Sequence, residues 1–244
     1  PSGATKTWNR GPVMPPLRRI GIACYPTYGG SGVVATELGI ALAEKGHQVH
    51  VMSYEQPIRL AQDHDNLFFH EVTVSEYPLF RYPPYCIALA AKLADIADRE
   101  RLDLLHVHYA IPHAISAALA RDMVSGHDVK VIVTLHGTDI TIVGSDPSYE
   151  RVTRHAIHCA DGVTAVSEYL RRETYRVFHT QKPIETIPNF VDMRRYEPGA
   201  CRAAREKLHG RDLIVMHVSN FRPVKRVHDL VRAFAIVQKS VAAR

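Results

Sequence analysis

A glycine-rich segment close to the N-terminus has the composition of an anion-binding turn. Gly29, Gly30, Ser31 and Gly32 stand between an apolar run at 19–24 and a helical pattern at 33–46. Glycine lets the backbone approach a ligand closely, and the free N–H groups at a helix start favour negative charge. The spacing is not the G-x-G-x-x-G of dinucleotide-binding turns, so a tight turn without a ligand is the alternative interpretation.

The segment HVHYAIPH places histidines and a tyrosine at the end of a buried apolar run. His106 and His108 would share one face of a strand, which suggests a zinc pair, but no third ligand with matching spacing accompanies them. Packed or hydrogen-bonded histidines are therefore the favoured interpretation. Tyr109 stands where the strand ends, which is where a ligand-binding side chain is expected in a parallel sheet.

The segment VTLHGTDI brings a hydroxyl, an imidazole and a carboxylate to the end of another apolar run. We expect Thr134, His136 and Asp139 to form the wall of a polar pocket. His136 and Asp139 would also suit a Ser–His–Asp hydrolase, but the chain has no G-x-S-x-G elbow between a strand and a helix. The hydrolase interpretation is therefore poor.

A basic turn follows a later apolar segment at 212–220. Arg222, Lys225 and Arg226 are cations of the kind that bind phosphate, arginine through a bidentate fork and lysine as a point charge. A solvated basic turn is the alternative interpretation, and the residues alone do not decide between the two.

Apolar runs alternate with helical patterns from Arg19 onward, which predicts βαβ units and a parallel sheet covered on both faces. We therefore expect a doubly wound α/β domain with ligands at the carboxyl ends of its strands. The predicted strands are 19–24, 47–53, 66–72, 102–108, 129–136, 161–166 and 185–189. The predicted helices are 33–46, 86–100, 111–124, 149–159 and 167–178.

Three regions are expected along the chain. Residues 1–18 are rich in proline and glycine and are predicted to be a disordered, tag-like tail. Residues 19–200 form the first domain, and residues 201–244 begin a second α/β domain with a strand at 212–220 and a helix at 227–239.

Composition excludes several classes of protein. The 244 residues are 46% hydrophobic and 23% charged, which is typical of a globular chain rather than a disordered or fibrous one. No apolar run reaches the roughly 18 residues of a membrane helix. The net charge of +5 is spread along the chain, so it favours an anionic small ligand over nucleic acid. Four scattered cysteines without a CxxC pair indicate a reducing, cytoplasmic setting.

Taken in order, several motifs resemble family 4 of the retaining glycosyltransferases. The motifs that carry the resemblance are GGSGVVATELG, HVHYAIPHA, TLHGTDIT, DGVTAVSEYL, IETIPNFVD and HVSNFRPVKRV. The resemblance runs from about Arg18 to the last residue and implies the two-domain GT-B fold. Five segments together more narrowly resemble those members that glycosylate L-malate: YPTYGGSGVVATELG, RYPPY, HYAIPHA, LHGTDIT and SNFRPVKRV.

This resemblance implies a reaction. UDP-N-acetylglucosamine and L-malate would give α-glucosaminyl malate and UDP, with retention and without a metal or another cofactor, as the first step of bacillithiol biosynthesis. The alternatives are an enzyme of the same fold with another acceptor, inositol phosphate or a glycan, and an inactive anion-binding fragment. We expect no nucleic-acid partner and no membrane span, and a homodimer is compatible with the sequence.

The resemblance also implies residue roles. The expected catalytic residues are Arg222, Lys225 and His136. The residues expected to bind the acceptor are Gly30, Ser31, Tyr109, Thr134 and Arg154, with Arg151 as the second choice of arginine. The residues expected to bind the donor are Gly29, Gly30, Asn220, Arg222 and Lys225.

One departure from the family concerns the C-terminal part. Family members carry two glutamates eight residues apart that bind the nucleotide ribose and the sugar, and no two glutamates of this chain have that spacing. The sequence therefore predicts a fragment that folds through its first domain but does not turn over substrate.

Overall fold

The computed structural model divides the chain into two compact units, Pro1–Pro188 and Asn189–Arg244. Gly29, Asn220 and most of the expected tail lie outside the residues that the structure describes. The described residues are 16–27, 30–60, 64–75, 78–144, 146–195, 202, 213–219 and 221–241.

The first unit is built on a seven-stranded, wholly parallel sheet, which confirms the predicted α/β class. The strand order is β3-β2-β1-β4-β5-β6-β7. Successive strands are added toward one edge of the sheet from β1 to β3 and toward the other edge from β4 to β7. The strand order therefore reverses between β1 and β4, where doubly wound folds bind their ligands. The strands are β1 Arg19–Ala23, β2 Gln48–Ser53, β3 Leu67–Glu71, β4 Leu104–His108, β5 Lys130–Leu135, β6 Gly162–Ala165 and β7 Ile184–Thr186.

Five helices connect these strands. Side-chain caps fix two of their starts, since Asp146 accepts a hydrogen bond from the N–H of Ser148 and Ser167 accepts one from the N–H of Leu170. The helices are α1 Gly30–Glu44, α2 Tyr85–Glu100, α3 Ile115–Met123, α4 Pro147–Cys159 and α5 Glu168–Phe178. Of the helices in the described ranges, none has the length and apolar character needed to cross a membrane.

The helix predicted at 111–124 begins later than expected. An irregular turn, Ala110–Ala114, precedes α3, and within it Ile111 has an extended conformation (φ −126°, ψ 130°). The residue before a proline is disfavoured in the helical region because the proline ring clashes with its backbone. Pro112 therefore separates β4 from the regular helix.

The two faces of the sheet are packed differently. On one face Leu105 and Val107 of β4 join the larger core, to which α2 and α3 also contribute. On the other face α1 packs against β1 and β2 through Ile22 and Val51 in a smaller cluster. Because side chains alternate along a strand, this second face of β4 presents His106 and His108.

In the second unit the described residues 213–219 do not form the strand predicted at 212–220. Leu213 makes an isolated bridge, and residues 214–218 have no regular structure, with Met216 77% exposed. A strand exists only through hydrogen bonds to a neighbouring strand, and apolar, β-branched residues supply no more than a tendency. The predicted helix is present as α6, Val227–Val237, after a short turn at Pro223–Lys225.

The start of α1 offers a matched test of this packing. A Cβ atom on Gly32 would lie 2.3 Å from the backbone oxygen of Tyr25, whereas one on Gly30 would meet no atom within 4 Å. We expect Gly32→Ala to lower the free energy of unfolding by about 1–3 kcal/mol, because backbone must move, and Gly30→Ala to cause no loss. Urea unfolding of both variants measures this, and equal stabilities would contradict the close approach.

Candidate functional site

The loops after β1 and β4 meet at the point where the chain direction reverses. Tyr25 follows β1, and its ring packs edge-on against Tyr109 at 5.3 Å and against His113 at 4.6 Å between ring centroids. Tyr25 was not singled out from the sequence, although the strand-end rule that selected Tyr109 applies equally to it. These contacts join the loop that leads to α1 to the turn after β4.

Tyr109 has an unusual backbone conformation for a residue other than glycine. Its φ is 91° and its ψ 136°, a region that costs a side-chain-bearing residue about 1–3 kcal/mol. The hydroxyl is hydrogen-bonded to the Thr138 hydroxyl at 2.8 Å, and the ring stacks on His136 with a centroid distance of 5.6 Å. The surrounding contacts thus hold the tyrosine in one orientation, as at many ligand sites.

A buried carboxylate holds the turns after β4 and β5 together. Asp139 is 1% exposed and accepts hydrogen bonds from the N–H groups of Gly137 (2.8 Å), His136 (3.2 Å) and Ala110 (3.2 Å). Burial raises its pKa, while these hydrogen bonds act in the opposite direction. The carboxylate contacts backbone rather than the imidazole of His136, so it serves the turns and does not form a catalytic dyad.

A row of polar side chains crosses β4, β5 and β6 on the face that also carries α1. Thr134 Oγ1 lies 2.7 Å from His106 Nε2 and 2.8 Å from Thr164 Oγ1. His108 Nδ1 lies 2.9 Å from His136 Nε2. In the described ranges no three His, Cys, Asp or Glu side chains are placed to hold a metal ion. Each histidine of the HxH pair is hydrogen-bonded, His106 to Thr134 and His108 to His136, in agreement with the favoured interpretation.

The histidines of this region are neutral at pH 7. Burial lowers the pKa of His106 and of His136 to about 4, and that of His113 to about 3. Burial and the neighbouring histidines hold the pKa of His108 well below its usual range. An anionic ligand would therefore meet neutral hydrogen-bonding groups here, and positive charge must come from elsewhere.

The start of α1 is one source of positive potential. Gly30 begins the helix, Ser31 is half-buried, and the first turn carries no acidic side chain. The unpaired N–H groups of a helix start favour anions.

The two candidate arginines lie on α4, whereas Tyr109, Thr134 and His136 lie at or next to the ends of β4 and β5. Arg154 is 4.0 Å from the carboxylate of Glu150. Both arginines line a groove of about 550 Å³ whose wall includes none of those three residues. The remaining lining residues are His155, His158, His179, Thr180 and Gln181.

In the second unit Arg222 and Lys225 lie on the exposed turn before α6. The backbone N–H of Lys225 donates to the carbonyl of Arg222 at 2.8 Å, while neighbouring Arg226 is paired with Asp229 at 2.7 Å. Within the described part of the chain neither Arg222 nor Lys225 has an ion-pair partner.

Residues 28–195 match the profile of the family described as Glycosyltransferase Family 4. The chain belongs to glycosyltransferase family 4. The matched segment contains β4 and β5 with the turns that follow them, both candidate arginines and the row of polar residues on β4, β5 and β6.

Two curated relatives of this family 4 chain differ in how similar they are to it in sequence. N-acetyl-alpha-D-glucosaminyl L-malate synthase from Bacillus anthracis is 50% identical over 228 residues, covering 93% of this chain and 60% of the relative. An uncharacterized glycosyltransferase from Methanocaldococcus jannaschii is 27% identical, covering 61% of this chain and 40% of its own length. The chain thus spans about 60% of the Bacillus relative.

Solved structures support the fold of this family 4 chain. A glycosyltransferase from Rickettsia africae superposes with a TM-score of 0.61 at 17% identity, covering 84% of this chain and 54% of its own. The catalytic domain of starch synthase IV from Arabidopsis thaliana gives 0.60 at 15% identity, covering 91% and 66%. Identities this low show a shared fold and no more.

The neutral histidines of this family 4 chain make its stability depend on pH. An unfolded histidine has a pKa of about 6.5, so below that pH the histidines of the unfolded chain bind protons. In the folded chain four histidines have a lower pKa and stay neutral: His50, His106, His113 and His136. Stability is therefore highest above pH 6.5 and falls as the pH is lowered, by up to about 1.4 kcal/mol per pH unit for each group. The raised pKa of Asp139 acts in the opposite sense, but for one group only.

We expect the urea midpoint of the chain to fall steadily between pH 6.5 and 5. His113→Leu removes one buried imidazole and should flatten the slope, while His158→Asn changes an exposed histidine and should leave it unchanged. A midpoint that is constant over this range would show that the histidines are protonated in the folded chain.

Proposed function

We propose that the protein transfers N-acetylglucosamine from UDP-N-acetylglucosamine to L-malate with retention of configuration, the first step of bacillithiol biosynthesis. The observation that carries the proposal is the 50% identity to the Bacillus anthracis malate synthase along 93% of the chain. The crevice supports it, because it combines a helix start with hydroxyl and imidazole donors suited to a small, anionic acceptor. The free thiols of Cys24, Cys86 and Cys159 suit a cytoplasmic enzyme.

The acceptor half of the proposal assigns malate to the crevice after β1, β4 and β5. Tyr109 and Thr134 supply hydroxyl groups, while Gly30 and Ser31 supply backbone N–H groups at the start of α1. Each carboxylate of malate accepts hydrogen bonds only, so these donors suit it. The neutral ring of His136 stacks on Tyr109 and would face the sugar near the reacting carbon.

Arg154 is the proposed charged partner of a malate carboxylate, with Arg151 as the second choice. This part of the proposal rests on the family resemblance, since the groove on α4 that holds both arginines is lined by other residues than the crevice. A charge-assisted hydrogen bond to a carboxylate contributes about 1.5–3 kcal/mol, so removing the correct arginine should be measurable.

The donor half assigns the diphosphate to the second unit. As the bond between sugar and phosphate breaks, the anomeric carbon becomes oxocarbenium-like and negative charge accumulates on the leaving UDP. Arg222 and Lys225 would stabilise that charge, together with Gly29, Gly30 and Asn220 as hydrogen-bond donors. Two cations can supply the charge that a metal ion provides elsewhere, so no metal is included in the proposed reaction.

An acceptor screen tests the proposal directly. The full-length protein is supplied with UDP-N-acetylglucosamine and one acceptor at a time, and UDP release is measured. We expect release with L-malate but not with succinate, which has both carboxylates but lacks the hydroxyl that attacks the sugar. Release with inositol phosphate or a glycan, and none with malate, would establish the alternative acceptor class instead.

Kinetics of two alanine variants separate the acceptor and donor roles. Arg154→Ala should raise the KM for malate about tenfold or more with little effect on the KM for the donor. Lys225→Ala should lower kcat with little change in the KM for malate, because its partner gains charge only in the transition state. Arg151→Ala is the matched control on the same helix. If it, and not Arg154→Ala, raises the malate KM, the two arginines exchange roles.

A further inference from the structure

The buried hydroxyl of Thr134 is held between two partners on neighbouring strands. Strand register places Thr134 of β5 beside Thr164 of β6, and His106 reaches it from β4. The distances are 2.7 Å to His106 Nε2 and 2.8 Å to Thr164 Oγ1, and Thr134 is 8% exposed. Backbone hydrogen bonds of the sheet hold all three residues, so the side-chain contacts do not depend on a loop.

A threonine hydroxyl has one proton to donate and two lone pairs with which to accept. If both neighbours donate to Thr134, both lone pairs are used and its proton points away from them. If either neighbour accepts a hydrogen bond from Thr134, the hydroxyl proton is used for that bond and cannot be donated to a ligand. The direction of two hydrogen bonds thus decides whether Thr134 can donate to a ligand.

The protonation state of His106 limits the possible directions of its hydrogen bond with Thr134. Its imidazole is neutral at pH 7, because burial lowers its pKa to about 4, so only one ring nitrogen carries a proton. With the proton on Nε2, the ring donates to Thr134. With the proton on Nδ1, the Nε2 lone pair accepts a hydrogen bond that Thr134 donates.

Thr164 favours the outward-donating arrangement. Among the residues that the structure describes, its hydroxyl has one hydrogen-bond partner, Thr134. If Thr164 donates to Thr134, the hydroxyl proton of Thr164 has an acceptor. One lone pair of Thr134 is then occupied by this hydrogen bond. A carboxylate at the crevice can only accept, so the remaining requirement is that His106 also donates.

We propose that His106, as the Nε2–H tautomer, and Thr164 are positioning residues that turn the Thr134 hydroxyl into a hydrogen-bond donor for a carboxylate of the acceptor. This inference rests on the proposed function, because it uses Thr134 as an acceptor-binding residue. Neither positioning residue touches the acceptor itself. Together they make the site selective for an oxygen that accepts, as in a carboxylate, over a group that donates.

Paired variants in the full-length protein test the two positioning residues. His106→Leu and Thr164→Val remove a donor, and each should raise the KM for L-malate about tenfold while kcat changes less than twofold. His106→Gln keeps an N–H group near the Nε2 position, and Thr164→Ser keeps a hydroxyl, so both should stay within threefold of wild type. His70→Leu is the control, since His70 is also a hydrogen-bonded strand histidine but pairs with His50 on β2.

The tautomer is measured separately and without any acceptor. Nitrogen-15 NMR of the imidazoles of the 244-residue chain should show a proton on Nε2 of His106, assigned by its loss in His106→Gln. A proton on Nδ1 would overturn the inference. So would an unchanged malate KM in both His106→Leu and Thr164→Val, provided the wild type uses malate. A wild type that does not glycosylate malate overturns the proposed function instead.

Discussion

The carboxylate of Asp139 lies buried between the turns after β4 and β5, where three backbone N–H groups donate to it. Without it, those donors would be left unpaired in the interior, at a cost of about 1–3 kcal/mol each. The hydrogen bonds fix the position of one turn relative to the other. Because Tyr109 precedes the first turn and His136 begins the second, the stack of their rings depends on this carboxylate.

The histidines of the crevice are neutral, and this follows from where they lie. His106, His108 and His136 are carried by or directly follow the central strands β4 and β5, where burial disfavours their charged forms. Neutral imidazoles can donate on one nitrogen and accept on the other, so their tautomers determine the direction of each hydrogen bond. Positive potential comes from the start of α1.

Sequence reasoning placed Tyr109, Thr134 and His136 correctly at strand ends. The backbone N–H of Tyr109 donates to the carbonyl of Thr134, and the Tyr109 ring stacks on His136. Sequence reasoning failed where a contact requires a partner distant in the chain. The segment at 213–218 has the composition of a strand, yet the described residues supply no sheet for it to join.

By itself the sequence determined the βαβ alternation, the parallel class of the sheet and the family, because hydrophobic periodicity and contiguous motifs are local properties. Only the tertiary structure decided that Asp139 binds backbone rather than His136, and that Thr164 lies beside Thr134. Only the tertiary structure showed that Arg151 and Arg154 line a common groove on α4. Each of these depends on strand register and helix packing, which join residues about 30 positions apart, as from Thr134 to Thr164.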